Sequence, residues 1–275
     1  MKLRFVKADP CGNTTIFLLD PVPREQWAAV SAAVMAHGSV TAEQVGFIFP
    51  DPAQEAGYRM EMAGGEFCGN ASRSFAAWLQ LCPDGGEPHD FTPAEADRVI
   101  RVSGAEGPLT AHVRSIGQDN RCYVSVAMPL PERILTGTDG WFGAYSLVIF
   151  PGISHMVLWD HAHREEDVER AKAFLAQFGP VPEAFGLMYY DEADRFLRPL
   201  VYVENPRTLV WENSCGSGSS ALAAAIAHRK GGSVEGLAIR QPGGELTVSV
   251  DWQDGVRQLV LGGEITLSVF GTLYV

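Results

Sequence analysis

A motif that occurs twice does most to constrain how this 275-residue chain can fold. Glu66-Phe67-Cys68-Gly69-Asn70-Ala71-Ser72 is answered by Glu212-Asn213-Ser214-Cys215-Gly216-Ser217-Gly218-Ser219. Each sets a cysteine, a glycine and small polar residues at the head of an Ala-rich run, 71–81 and 219–228, that reads as a helix. One Cys-Gly at a helix start would say little. Two of them, set among many short strand-like segments, predict two half-molecules that each bring a thiol to a shared site.

The segments around the motifs support a repeated plan. Residues 2–7 and 14–20 read as strands joined by the turn Asp9-Pro10-Cys11-Gly12-Asn13. Trp27, Val30 and Val34 fall at helical spacing within 23–36. Strands are expected at 43–49 and 58–62, with Ala63-Gly64-Gly65 turning into the first cysteine motif. The Pro- and Gly-rich stretch 81–96 reads as an exposed connection, followed by strands near 98–102, 109–114 and 121–127. The second half has strands at 145–150 and 155–159, an amphipathic helix over 164–178, and strands near 185–190 and 198–203. After the second motif come strands near 235–240, 245–251, 257–262 and 265–274, the last two parted by Gly262-Gly263.

This order predicts an α+β fold of two pseudo-symmetric lobes, each a mixed, mostly antiparallel sheet wrapped around a central helix. Strands do not alternate regularly with helices, which excludes a doubly wound sheet. The composition break at Pro129-Leu130-Pro131-Glu132 sets the expected lobes at 1–129, with Cys68, and 130–275, with Cys215. A final strand near 265–275 is a candidate to return to the first lobe.

Charge and composition narrow the partners. A formal net charge of −12 argues against nucleic acid and anionic membrane surfaces. Mean hydropathy is near zero, and no apolar run reaches the roughly 18–20 residues of a membrane helix. The first residues, Met1-Lys2-Leu3-Arg4-Phe5, alternate like a strand and lack a signal peptide's apolar core, so a cytoplasmic protein is expected. Five cysteines without a Cys-x-x-Cys pair or zinc spacing indicate neither a disulfide framework nor a metal site. No glycine-rich phosphate loop stands at a strand-to-helix turn, so no nucleotide cofactor is expected.

A cysteine at a helix N-terminus sits among N–H groups without intrahelical partners, in the positive end of the helix dipole. Both effects lower a thiol from about 8.5 toward neutrality, where it can serve as base and, once protonated, as acid. The same N–H groups bind a carboxylate. Two such helix starts facing each other would take a proton from one face of an amino acid's α-carbon and return one to the other, with neither pyridoxal phosphate nor metal required. The alternatives are that both cysteines are small buried helix residues, or that they form a redox pair. Cys82 and Cys122 lack the motif. Cys11 precedes Gly12-Asn13 but lies in a strand-to-strand turn. Asn13 is either a ligand-facing amide or a turn asparagine, and His155 on its strand defaults to a satisfied core histidine.

At these residues the chain resembles the diaminopimelate epimerase superfamily of cofactor-independent racemases, over nearly its whole length. Gly12-Asn13, Gln44, Cys68-Gly69-Asn70 and Cys215-Gly216-Ser217-Gly218 match that pattern, and Gly152-Ile153-Ser154-His155-Met156-Val157 is a degraded form of its Gly-Asn-Pro-His-Cys-Val segment. Glu212 falls near the glutamate before the second cysteine, but Asn213 stands where diaminopimelate epimerases carry a carboxylate-holding arginine, and Ile153 replaces an asparagine. The chain is more similar to the histidine racemase branch that serves staphylopine-type metallophores, through Glu43-Gln44-Val45-Gly46-Phe47-Ile48, Trp211-Glu212-Asn213-Ser214-Cys215-Gly216-Ser217-Gly218 and Gln241-Pro242-Gly243-Gly244.

That resemblance implies interconversion of L- and D-histidine without a cofactor, with Cys68 and Cys215 as the acid/base pair. It implies that Cys68 takes the proton from the L-isomer and Cys215 reprotonates. Gly69, Asn70, Gly216 and Ser217 would hold the α-carboxylate, and Glu212 and Glu43 would meet the ammonium or imidazole. Asn13 and Gln44 would line the pocket, and His155 would orient a thiol or the carbonyl. The partner is then a small amino acid, with a homodimer as candidate assembly. The rival readings are a diaminopimelate epimerase, a racemase of another amino acid, and, from a different class, a non-catalytic ligand-binding or thiol redox protein of the same fold.

Overall fold

The computed structural model describes the chain except for residues 37, 54–56, 83, 84, 86–94, 117–119 and 206. Two compact units emerge: Met1–Ala127 with Gly262–Val275, and Met128–Leu261. The architecture is mixed and sheet-rich, with few helices.

The first unit opens with β1 (Lys2–Asp9) and β2 (Thr15–Leu18), antiparallel partners. A 3-10 turn at Arg24–Gln26 leads into α1 (Trp27–Met35). Then come β3 (Gln44–Pro50), β4 (Tyr58–Met62), α2 (Gly69–Leu81), β5 (Glu95–Ile100), β6 (Leu109–Ser115) and β7 (Arg121–Ala127). β3 lies parallel to β2 and antiparallel to β4, while β5, β6 and β7 form an antiparallel meander. α1 buries Trp27, Val30 and Val34 against Leu3, Ile16, Leu18 and Phe47, and the Trp27 and Phe47 rings stack at 4.1 Å. Every residue of α2 except Gln80 is buried, and the helix packs on β5, β6 and β7.

The second unit begins with β8 (Arg133–Asp139), β9 (Gly143–Phe150) and β10 (Ile153–Trp159), an antiparallel run. After α3 (Asp167–Leu175), β11 (Ala184–Asp191) lies parallel to β10 and antiparallel to β12 (Phe196–Val203). β13 (Thr208–Trp211) pairs with β12. α4 (Gly216–Lys230) follows, closed by Gly231 in the left-handed region at φ 66°, where a side chain would be strained. β14 (Val234–Gln241) and β15 (Gly244–Trp252) form a hairpin. α4 packs against β9, β10, β14 and β15, and the apolar face of α3 joins Leu147, Leu158, Phe185 and Leu187 in one core.

Several expectations need correction. Residues 257–262 and 265–274 form one strand, β16 (Val256–Tyr274), whose last part pairs with β1 from Lys2↔Tyr274 to Asp9↔Thr266. Gly262-Gly263 do not break it, because a paired strand tolerates glycine when no turn is required. The helix expected over 164–178 is only Asp167–Leu175. Asp167 is buried and accepts hydrogen bonds from Trp141 Nε1 at 2.8 Å and the Tyr189 hydroxyl at 3.0 Å, and these fix the helix start. β8 and β13 were not expected at all. The connection anticipated at 81–96 ends in β5 at Glu95, and most of it lies outside the described residues.

Candidate functional site

Both cysteine helices begin two or three residues earlier than the Ala-rich runs suggested, and the shift changes what each thiol does. Cys68 is the N-cap of α2, with extended backbone at φ −129° and ψ 111°; Cys215 is the N-cap of α4, at φ −119° and ψ 110°. An N-cap side chain accepts an N–H from the first turn, a place ordinarily taken by Ser, Thr, Asp or Asn. Here sulfur does it. Ala71 N–H donates to Cys68 Sγ at 3.4 Å, and Gly218 N–H donates to Cys215 Sγ at 3.4 Å. The carbonyl of Cys68 accepts from Ser72 N at 2.9 Å and Ser72 Oγ at 2.8 Å; that of Cys215 accepts from Ser219 N at 2.9 Å and Ser219 Oγ at 2.7 Å. The two caps repeat each other bond for bond. Gly69 and Asn70 in one, Gly216 and Ser217 in the other, are the first helical residues, whose N–H groups have no acceptor within the helix.

In the first unit, the Cys68 thiol is half-buried and donates to Gln44 Oε1 at 3.1 Å. Gln44 is at the start of β3, and its N–H, like that of Glu43, donates to Thr14 O, at 3.1 and 3.0 Å. This ties the Asn13 loop to the strand that carries Gln44. Asn13 is 2% exposed, whereas the Glu43 side chain is exposed. The loop turns through Cys11 and Gly12, both at positive φ, with Gly12 N–H donating to Asp9.

In the second unit, Cys215, Glu212, Ser217 and His155 come together. The Glu212 carboxylate accepts a hydrogen bond from the Cys215 thiol. Ser217 Oγ lies 3.5 Å from Cys215 Sγ and 2.9 Å from His155 Nε2. Helix-start geometry led to the expectation of a thiol lowered toward neutrality. Cys215 instead is raised well above the ordinary value: burial dominates, the Glu212 charge and hydrogen bond add to it, and the Ser217 and Gly218 hydrogen bonds only partly oppose it. Cys215 is therefore held as the protonated thiol. His155 is fully buried and pushed down to about 3 by burial, so it is neutral and reaches the thiol only through Ser217.

Burial pushes the Cys82 thiol up to about 12 and that of Cys122 up to about 11, which leaves both inert. No disulfide joins any of the five cysteines. Among the described residues no cluster of three His, Cys, Asp or Glu is placed to hold a metal ion, and no helix is long and apolar enough to cross a membrane.

Sequence reasoning passed over two supporting residues. Gln241, 3% exposed on β14, accepts from Cys215 N at 2.9 Å and donates to Ser219 Oγ at 3.0 Å, clamping the start of α4. Its position in Gln241-Pro242-Gly243-Gly244 was visible, but no local signal assigned it a partner. Arg73, wholly buried one turn into α2, donates from Nη2 to Asn70 Oδ1 at 2.8 Å.

Packing behind His155 is tight. His155 on β10 is in register with Gly186 on β11, where an added Cβ would lie 2.5 Å from His155 Nδ1 and 2.5 Å from Met188 Cε. Gly186→Ala is expected to cost about 1–3 kcal/mol in urea unfolding, the usual penalty of an overpacked core. An unchanged midpoint would mean that the imidazole and Met188 can move aside freely.

The Glu212 side chain also borders a cavity of about 390 Å³, lined by His163, Arg164, Glu165, Arg198, Pro199, Trp211 and Pro242. A carboxylate thus stands between this space and the Cys215 thiol.

The family model described as Histidine racemase CntK N-terminal domain matches residues 2–274. A histidine racemase of Staphylococcus aureus is 26% identical over 287 residues, covering 99% of this chain and 98% of its own length. One from Fusobacterium nucleatum subsp. nucleatum is 30% identical over 272 residues, covering 96% of each. Among solved structures, a PhzF-family phenazine biosynthesis protein of Bacillus anthracis matches with a TM-score of 0.69 at 13% identity, over 100% of this chain and 99% of its own. A hydroxyproline epimerase of Agrobacterium vitis matches with a TM-score of 0.63 at 13% identity, over 99% and 92%. Such low identities speak for the shared fold alone.

Proposed function

The chain belongs to the histidine racemase family, and from that premise we propose that it interconverts L- and D-histidine by a two-cysteine acid/base mechanism. The observation that carries this reading is the repeated N-cap thiol, built with the same hydrogen bonds at Cys68 and at Cys215. We read the two units as pseudo-symmetric lobes, each organised around its cysteine helix.

In the L-to-D direction Cys68, as thiolate, removes the α-proton, and Cys215, as thiol, supplies one to the opposite face. The raised Cys215 supports this assignment, because an acid must still hold its proton when the carbanion forms. The N–H groups of Gly69, Asn70, Gly216 and Ser217 hold the α-carboxylate as negative charge builds. Gln44 aims the Cys68 thiol, and His155 aims Ser217 toward Cys215. Glu212 takes up the proton of Cys215 in the reverse direction. Asn13 and Glu43 are assigned to substrate binding, with the substrate ammonium or imidazole as Glu43's partner. Proton transfer here uses protein groups alone. The enzyme is taken to be cytoplasmic, its assembly a homodimer, and its D-histidine destined for a staphylopine-like metallophore.

Incubation with a panel of L-amino acids in heavy water, read by chiral chromatography and mass spectrometry, tests substrate and mechanism together. At low conversion, L-histidine is expected to give D-histidine carrying deuterium at the α-carbon, while the remaining L-histidine keeps protium. Exchange only into diaminopimelate would sink the substrate assignment. Deuterium entering residual L-histidine as fast as product forms would point to a single base.

A further inference from the structure

Arg73 carries a buried charge that no carboxylate among the described residues balances. Its side chain is wholly buried on α2, one turn beyond Cys68. Nη2 is engaged by Asn70 Oδ1 at 2.8 Å, while Nε and Nη1 have no hydrogen-bond partner. Buried unpartnered donors are costly, and buried charges are ordinarily paired with a counter-charge. Among the described residues no carboxylate is paired with Arg73. The polar groups that act on it are Cys11 from the β1–β2 turn, Tyr123 from β7 and Cys68 itself. Arg98 on β5 is engaged by Gln80 at the far end of α2.

We propose that Arg73 is a positioning residue of the Cys68 half-site: it fixes the Asn70 amide and holds the buried positive charge that the Cys68 thiolate balances. Holding Oδ1 fixes which way the Asn70 amide faces. Burial lowers the guanidinium to about 10, with Cys11, Tyr123 and Cys68 opposing, so it stays charged at neutral pH. A positive charge near a thiolate favours it, and the thiolate in turn favours the guanidinium. This complements the cap, where Ala71 N–H already points at Sγ.

The inference rests on the reading of Cys68 as a catalytic base, but its first test contains no substrate. The pH dependence of iodoacetamide alkylation, followed on the separate Cys68 and Cys11 peptides by mass spectrometry, reads the thiolate directly. Arg73→Gln is expected to raise the Cys68 midpoint by about one pH unit, slowing alkylation at neutral pH about tenfold. The KM for histidine should rise about tenfold as the Asn70 amide is freed. An unmoved midpoint in folded Arg73→Gln would overturn the proposal. Should that variant fail to fold, Arg73→Lys decides. With the charge kept and the planar fork lost, the midpoint should stay in place while KM rises about fivefold. A shifted midpoint or an unchanged KM in Arg73→Lys would overturn it. Absence of histidine racemisation by the unsubstituted enzyme, with the thiolate shift intact, would count against the substrate assignment and leave Arg73's role standing.

Discussion

Replacing either Cys68 or Cys215 by serine is expected to lower kcat/KM for histidine racemisation by at least about 10³-fold, or roughly 4 kcal/mol of transition-state stabilisation. Serine preserves the cap, since its oxygen is a better acceptor than sulfur for the N–H of Ala71 or Gly218. The fold should therefore survive, and thermal melting should show it. What serine removes is a group that ionises within reach of neutral pH, because a hydroxyl holds its proton far more tightly than a thiol. The losses should not add. Once one face has lost its acid or base, the other cysteine has no complete reaction to catalyse, so the double variant should be little worse than either single one. Full activity in either single variant would remove that cysteine from the chemistry. A double variant worse than the singles by the product of their losses would mean that the two thiols serve separate reactions.

Local patterning revealed the helices and most strands because these depend on short-range spacing: Trp27, Val30 and Val34 mark α1, and the glycine after each cysteine marks α2 and α4. It failed where a partner defines the element. β8 has no strong alternation of its own and exists through pairing with β9, where Gly137 makes room for the Tyr145 ring. The site divides in the same way. Cys68, Cys215, Gln44 and Glu212 stand in recognisable strings, and the structure gives Gln44 and Glu212 their thiol partners. Arg73 and Gln241 stand in no chemical motif that reveals their partners. Arg73 looks like an ordinary helical arginine until its burial is known, and Gln241 like a strand residue before a turn. The helix start alone predicts the Cys215 shift with the wrong sign, because a helix start is legible in the sequence whereas burial beside Glu212 is not.

Glu212→Gln is expected to lower kcat/KM by about 10²-fold, at the lower end of what acid/base groups contribute. The loss must be equal for the two enantiomers. L- and D-histidine have the same free energy in water, so the ratio of their kcat/KM values is fixed by an equilibrium constant of one. Asymmetry must be sought in the pH profile. After burial, the Glu212 charge and hydrogen bond are the largest influences raising Cys215, and glutamine keeps an acceptor oxygen while removing the charge. A carboxylate beside a thiol opposes its ionisation, so its removal moves the Cys215 alkylation midpoint to lower pH. In the proposed two-cysteine scheme turnover needs one thiolate and one thiol, so a more acidic Cys215 would give the inactive double thiolate earlier as pH rises. The alkaline limb of kcat/KM should accordingly move down by about one pH unit, while the acid limb, set by Cys68, stays where it is. If instead activity falls with the alkaline limb unmoved, Glu212 acts on the substrate's ammonium or imidazole from the cavity it borders, and the thiol contact is incidental.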